Sequence, residues 1–533
     1  MEAVKPAGRV GPYAWYALGV LVLVYVMNFI DRQILSILAE DIKRDLKLDD
    51  AQLGFLYGTA FAVFYALFGI PLARLADSWY RGRLMALGLA VWSSMTALSG
   101  FSGSFAQLAA ARVGVGIGEA SASPAAYSLI ADYFPQQRRA TALSIYSAGL
   151  YIGGGLSLPI GGFVLSRWNA AYPDGGPLGL VGWQAAFLAV GLPGLLLALW
   201  VLSLREPLRG AVDDLHQPIA KPGAWREFGR ELMAILPPLT LLSTARLPGA
   251  FKWNLVALAV VAAVAYGMIA LTGDTAQWVA IAIGIYAVFS WVQSIRFRDP
   301  PTYRLIYGSP VAMMAVVGFG SISFVTYAIG FWAAPYVERT FYAGPMAPGF
   351  FISGTTAKIE IATILGWTAA IASAIGVILG GVVSDWWRLR DPRGRVFVNM
   401  LAVVLPAPFV WIIYTTDNLT TFYLVNPIVA TFGAAWVGAA VATLQDFVLP
   451  RMRATAGATY VLGTTMVGLA LGPYYAGKMA LVTGSLRGGI LSLFAMAPIT
   501  LLLLWLVSRR MAAVEATKVE RARAVGEPIG ANP

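Results

Sequence analysis

Apolar stretches of about twenty residues recur along almost the whole chain, separated by short polar segments, and this repetition constrains the fold more than any other feature. A helix rising 1.5 Å per residue needs roughly 20 residues to cross a hydrocarbon layer about 30 Å thick. Charged residues make up 12% of the chain and hydrophobic ones 58%, whereas a soluble chain carries about 25% charged residues. The pattern predicts an all-α membrane protein whose apolar surface faces lipid.

The apolar runs and their breakers predict twelve spans, at 14–38, 51–72, 84–101, 106–130, 141–165, 183–204, 309–336, 361–383, 396–414, 419–444, 455–481 and 489–508. No small-residue cleavage site follows the first run, so it reads as a retained span and not a signal peptide. Lys5 and Arg9 precede it, and basic residues then gather on alternate loops: Arg74, Arg81 and Arg83; Arg138 and Arg139; Arg388, Arg390, Arg393 and Arg395; Arg451 and Arg453. Cytoplasmic loops carry such an excess, which puts both termini in the cytoplasm, and the cysteine-free, Ala- and Gly-rich chain fits a bacterial inner membrane. One loop runs against the rule, holding Lys43, Arg44 and Lys47 among Glu40, Asp41, Asp45, Asp49 and Asp50. The net charge of +11 sits in these loops, so a nucleic-acid partner does not follow from it. With no cysteine and a single histidine, His216, in a polar segment, the sequence offers no metal site, no cofactor site and no nucleophile-base constellation of an enzyme.

Two halves repeat. Asp132, Tyr133, Phe134, Pro135 and Arg139, Ala140, Thr141, Ala142 recur 314 residues later as Asp446, Phe447, Val448, Leu449 and Arg453, Ala454, Thr455, Ala456. The same offset carries Gly149 to Gly463, Gly154 to Gly468 and Pro159 to Pro473. This predicts a six-helix bundle at 1–205, a second at 301–510, a central linker at 206–300 and a cytoplasmic tail at 511–533, with a solute path between the repeats near the midplane. The linker has a polar start with Asp213 and Asp214, an amphipathic piece from Trp225 to Arg246, and two apolar runs at 253–271 and 277–294. Arg246, Lys252, Arg296 and Arg298 flank those runs and the turn between them has no basic residue. A transmembrane hairpin with its turn outside fits; a pair of helices lying on the membrane surface is the alternative.

Three motifs carry chemistry. In the loop after span two, Asp77 is followed by Arg81 and Arg83, and after span eight Asp385 is followed by Arg393 and Arg395. A carboxylate at a helix end with arginines across a turn can form and break ion pairs. With Asp132, Arg139, Asp446 and Arg453 these residues are read as a cytoplasmic gate, against a plain reading as membrane-surface charge. Gly153, Gly154, Gly155, Pro159, Gly161 and Gly162 on span five are answered by Gly468, Gly472, Pro473 and Gly477 on span eleven. Small residues allow close helix approach in lipid, so tight packing and a rocking interface explain them equally. Finally, Asp31 and Arg32 on span one, with Arg112 and Glu119 on span four, are intramembrane charges, which are functional by default. Glu119 with Asp31 and Arg32 is read as a proton switch supported by Arg112; a static ion pair is the alternative. Lys478 reads as a snorkelling side chain. The second half has no charge of similar depth, and Tyr127, Tyr327, Trp332, Trp367, Trp436 and Tyr460 are the candidates for a substrate cavity.

The runs Asn28 to Arg32, Asp77 to Arg83 and Arg112 to Ser123, continuing through Pro124 to Leu129, Ile130, Ala131 and Asp132, resemble the spinster branch of the major facilitator superfamily. The resemblance is strong over about 20–165, extends at superfamily level over both halves, and departs at the hairpin and at Ser78, where the family has a basic residue. It implies two six-helix bundles working by alternating access, with a lysophospholipid or sphingolipid-like solute and proton linkage. The partners expected are membrane lipid, a small amphipathic substrate and protons, with the chain a monomer. A drug or small-metabolite exporter of the same superfamily is the nearest alternative; a membrane enzyme or a channel fits less well. The hairpin, carrying no charge at spanning depth, is expected at the periphery and dispensable for transport.

Overall fold

The computed structural model describes residues 10–527 apart from 210–218, 221, 246 and 248. Lys5, Arg9, Asp213, Asp214, His216 and Arg246 therefore lie outside the described residues. Every regular element among the described residues is helical, and the one strand-like pairing is an isolated bridge between Pro348 and Thr356.

Among the described residues eleven helices are long and apolar enough to cross a membrane: Pro12–Leu46, Asp50–Ser78, Thr141–Ala171, Gly182–Leu202, Ala250–Thr272, Thr275–Arg298, Pro310–Phe341, Ala357–Arg388, Gly394–Thr415, Leu419–Asp446 and Leu486–Ala516. They include both helices of the inserted hairpin, whose length and composition suit crossing. The three other expected spans are helical too. Span three is Arg81–Ser99, and span four is Phe105–Glu119 followed by Ala122–Tyr133, interrupted immediately after Glu119. Span eleven runs Arg453–Gly463, then a π-helical turn at Thr464–Leu469, then Gly472–Thr483. Pro473 accounts for part of that break, because it has no N–H for the carbonyl four residues back.

The loop that ran against the charge rule builds a helix start. Asp49 accepts from Gln52 N at 2.7 Å while the Gln52 side chain accepts from Asp49 N at 3.0 Å, a capping box that satisfies two otherwise unpaired donors. The hairpin is joined within itself by Asn254, whose Nδ2 donates to Gln293 Oε1 at 2.8 Å and to Ser290 Oγ at 3.1 Å. Gln293 Nε2 in turn donates to Ala250 O at 2.9 Å. In hydrocarbon such groups have no water to fall back on, so the network ties the two helices together.

The helices cluster into two compact units, Met1–Ile42 with Phe68–Leu232 and Pro348–Ala370, and Lys43–Leu67 with Met233–Ala347 and Ile371–Pro533. Each unit thus takes part of a span from the other sequence repeat, span two up to Leu67 in the second unit and span eight up to Ala370 in the first. In the first unit, span five lies so close to the start of span eight that a Cβ on Gly155 would sit 2.4 Å from Ala370 Cβ, and one on Gly162 would sit 2.7 Å from Ala362 Cβ. In the second unit, a Cβ on Gly54 of span two would sit 2.4 Å from Pro473 O, and one on Gly477 would sit 2.2 Å from Asp50 O. The small residues noted in the sequence are those at which backbones touch.

Two aromatic expectations are corrected by this packing. Trp332 is fully buried and donates from Nε1 to Pro473 O at 2.9 Å. Trp436 sits in the core of the second unit with its ring 6.1 Å from that of Tyr460. Both are packing residues, because their indoles already fill helix contacts.

Candidate functional site

Span one places Asn28, Asp31 and Arg32 inside the first unit, all buried. Asp31 and Arg32 point about 100° apart, as successive helical residues must, and each meets a different part of span four. Arg32 Nη2 donates to Glu119 Oε2 at 2.8 Å, with side-chain exposures of 8% and 0%. Its guanidinium also lies 4.8 Å from the Phe29 ring centroid. Arg112 Nη1 donates to the backbone carbonyl of Asp31 at 3.3 Å. The Asp31 carboxyl has no hydrogen-bond partner within bonding geometry among the described residues, and neither does Glu119 Oε1. Trp92 and Thr96 of span three stand beside Asp31.

The glycine run of span four makes this possible. A Cβ on Gly118 would meet Trp92 N at 2.7 Å, and one on Gly114 would meet Met95, so span four is pressed against span three. Glu119 is the last residue of its helical segment. A helix C-terminus carries partial negative charge that favours a cation, which suits Arg32 at this spot. The arrangement is therefore a sealed group of two guanidinium and two carboxyl groups with spare acceptor atoms, the chemistry needed to take up and release a proton.

The loop motifs form a second network, with different pairings from those expected. Arg81, with no exposed side chain, pairs with Asp132 and donates from Nε to Glu206 Oε1 at 2.8 Å. It also donates to Ser128 Oγ at 3.0 Å and to Pro207 O at 2.8 Å. Asp77 is exposed, and Arg83 lies over the Tyr80 ring at 4.4 Å. Arg139 Nη2 donates to Ala131 O at 2.8 Å. In the second unit Arg395 takes the role: it pairs with Asp446 at 2.5 Å and with Asp385 at 3.2 Å. Arg81 to Asp132 and Arg395 to Asp446 both span 51 residues, which places the internal repeat at the level of atoms. Arg393 pairs with Asp391 and not with Asp385, and Arg453 is exposed while Arg451 bonds Asp299 and Glu527. Those two arginine assignments are corrections; Arg393 folds back on Asp391, the nearest carboxylate in its turn, and Arg453 is left at the surface.

Sequence reasoning missed the linker's part in this network. Glu206 bonds Arg81 and also accepts from Gly82 N at 2.9 Å. Arg209 Nη2 donates to Ala76 O and Trp79 O, both at 2.6 Å, capping the end of span two; burial pushes its guanidinium below the ordinary arginine range. In the second unit the carboxylate after the last span, Glu515, binds a different arginine, Arg388, at 2.6 Å. Each carboxylate follows the last span of its repeat, a position that reads only as a polar helix end.

At the opposite end of the helices lie two ion pairs that hydropathy also hid. Lys358 Nζ is 2.9 Å from Asp41 Oδ2 in the first unit, both side chains buried, and it donates to Ile37 O at 3.0 Å. In the second unit Arg339 donates to both carboxyl oxygens of Asp50, at 2.7 and 2.8 Å, and Lys43 Nζ adds a third bond at 2.6 Å. Each pair joins residues of the two sequence repeats. Lys478 is likewise no snorkelling side chain, since it pairs with Asp274 of the hairpin at 2.8 Å. Of the remaining aromatic candidates, Tyr127 and Trp367 are exposed in the first unit, and Tyr327 and Tyr460 are half-buried in the second.

The family model of the Major Facilitator Superfamily matches residues 21–473. An MFS-type efflux pump of Mycolicibacterium smegmatis is 27% identical over 480 residues, covering 89% of this chain and 86% of that protein. Human protein spinster homolog 1 is 25% identical over 481 residues, covering 87% and 73%. A crystal structure of a bacterial homologue of the human lysosomal transporter Spinster, in an inward-facing and occupied conformation, superposes with a TM-score of 0.64 at 25% identity, covering 97% of this chain and 100% of that one.

Proposed function

Since the chain belongs to the Major Facilitator Superfamily as a spinster-like secondary transporter and not an enzyme, we propose that it couples proton movement to alternating-access transport of an amphipathic, lipid-like solute. The observation that carries the reading is the sealed cluster of Asp31, Arg32, Arg112 and Glu119. Arg32 is committed to Glu119 at 2.8 Å while the Asp31 carboxyl has the neutral Trp92 and Thr96 beside it and no close hydrogen bond among the described residues. Protonating Glu119 would release Arg32, and Asp31, the preceding residue of span one, is the second carboxyl of the cluster that it could then reach after a small rotation of the helix. A switch of that kind needs only a few kcal/mol to bias two states, and about 1.4 kcal/mol accompanies each pKa unit.

In this reading the arginine-rich loops face the cytoplasm, together with both termini. Asp41 with Lys358 and Asp50 with Arg339 then lie on the outer side, where they must part whenever that side opens. The two networks around Arg81 and Arg395 hold the cytoplasmic end of each repeat. The lipid-like solute is supported by likeness to spinster proteins and by a second repeat whose spans lack charge at mid-depth. Likeness to an efflux pump over 89% of the chain favours a second reading, export of small organic molecules.

Liposomes with an imposed pH gradient distinguish them. Uptake of a lysophospholipid or of sphingosine-1-phosphate, abolished by a protonophore, is the expected result. Transport of cationic dyes with no lysolipid flux would replace the substrate reading, and gradient-independent flux of either would refute the coupling.

A further inference from the structure

The inserted hairpin is not a loose appendage. Its second helix, Thr275–Arg298, begins beside span two and span eleven, both in the second unit. Gln277 is buried at 1% exposure, and Thr59 Oγ1 of span two lies 2.7 Å from its Oε1. The same hydroxyl donates to Ala470 O of span eleven. One hydroxyl has one proton for these two acceptors, while Gln277 Nε2 is buried with no acceptor among the described residues. Amide oxygen and nitrogen are nearly isosteric and are assigned from the hydrogen-bond network. Turning the amide over resolves both: Nε2 donates to Thr59 Oγ1, and Thr59 donates to Ala470 O. The result is one chain of hydrogen bonds from hairpin to span two to span eleven.

A second contact fixes the hairpin's turn. Asp274 pairs with Lys478 at 2.8 Å and accepts from Tyr474 OH at 2.7 Å, and Lys478 donates to Thr272 O. Trp278 lies edge-on to Tyr474 with ring centroids 6.0 Å apart. Farther along, a Cβ on Gly284 would meet Met466 of the π turn and Val63 of span two. At its other end the hairpin is made rigid by the Asn254 network. The contacts fall where span two and span eleven touch most closely, at Gly54, Gly58 and Gly477.

We infer that the hairpin is a brace across the seam between span two and span eleven, stabilising the state in which the outer halves of those spans are packed together. This rests on the alternating-access reading, in which that seam must open in one state. The hairpin is therefore a determinant of the conformational equilibrium and not a dispensable addition. Hydrogen bonds between membrane helices shift such equilibria by about threefold each.

The chain has no cysteine, so a spin-label pair at Asp45→Cys and Val482→Cys in the full-length protein in nanodiscs reports the seam directly. Wild type should show a short and a long distance whose ratio responds to pH. Gln277→Leu should raise the long population about threefold and Thr59→Val, which loses both bonds of the chain, about ninefold, and the double variant should add nothing beyond Thr59→Val. Asp274→Asn and Lys478→Met, at the half-exposed turn where folding tolerates change, should act in the same direction. Wild-type ratios in all four variants would overturn the brace. A single unresponsive distance in the wild type would instead overturn alternating access at this seam, and the brace with it.

Discussion

Arg32→Leu removes the guanidinium that holds Glu119 at 2.8 Å, in a place where the two side chains are 8% and 0% exposed. Opposite charges about 4 Å apart interact by about 4 kcal/mol at an effective dielectric near 20. Removing one partner of a buried pair costs about 3–5 kcal/mol, because the other charge is left uncompensated. The two figures agree, so Arg32→Leu should destabilise the protein by about 4 kcal/mol. Glu119→Gln should cost less, since the amide oxygen can still accept from Arg32. In the double variant Arg32→Leu with Glu119→Gln no charge of this pair is stranded, and its loss should fall short of the sum of the singles by about 2–3 kcal/mol. Equilibrium unfolding by SDS in mixed micelles measures all three. Additivity within about 0.5 kcal/mol would show that the pair is not coupled, and the proton-switch reasoning would lose its physical basis.

Arg81→Ala should cost about 3–5 kcal/mol, as it strands Asp132 and Glu206 together; thermal unfolding in detergent checks it, and Arg83→Ala, at an exposed residue, should leave stability almost unchanged. Arg209→Ala should cost about 1–3 kcal/mol by exposing the carbonyls of Ala76 and Trp79 without a donor, with hydrogen exchange rising first around residues 76–82. The tail should loosen in acid. Burial pushes the Asp299 carboxyl up, but bonds from Arg451 and Thr302 outweigh it and hold it below the ordinary range, and Arg451 does the same for Glu527. Carboxyls depressed on folding stabilise above their unfolded pKa, near 4, and that contribution is lost as pH falls through their folded values; a nitroxide on the tail should gain mobility only in that range, and mobility unchanged at pH 3 would contradict the assignment.

Much of the architecture was legible because lipid imposes it. Span lengths, the 314-residue repeat and the glycine positions follow from the cost of an unpaired backbone in hydrocarbon and from close helix approach. The cluster of Asp31, Arg32, Arg112 and Glu119 was legible for the same reason, as charge in a span stands out. What escaped was charge at the helix ends. Lys358, Glu360, Glu338 and Arg339 lie on helical turns beyond the apolar runs of spans seven and eight, where hydropathy sees ordinary boundary polarity. Lys358 and Arg339 meet Asp41 and Asp50 of the other sequence repeat, and no local pattern announces that partner, whereas Glu360 accepts from Phe351 N and Ile352 N of its own repeat. The arginines of the loops were misassigned likewise: Arg393 and Arg395 are two residues apart, and only the turn geometry sends one to Asp391 and the other to Asp446. Trp332 and Trp436 misled because aromatic composition is the same in a core and in a cavity wall.

The central claim is that Glu119 and Asp31 carry the transported proton, and proton movement triggered by substrate tests it most directly. Purified protein in lightly buffered detergent solution with a pH dye is mixed with saturating lysophospholipid, and the protons released or taken up are counted per molecule. Wild type should exchange close to one proton, and Glu119→Gln and Asp31→Asn should each reduce the signal severalfold while binding persists by tryptophan fluorescence. A full wild-type proton signal in Glu119→Gln would contradict the account and leave Glu119 as a structural partner of Arg32.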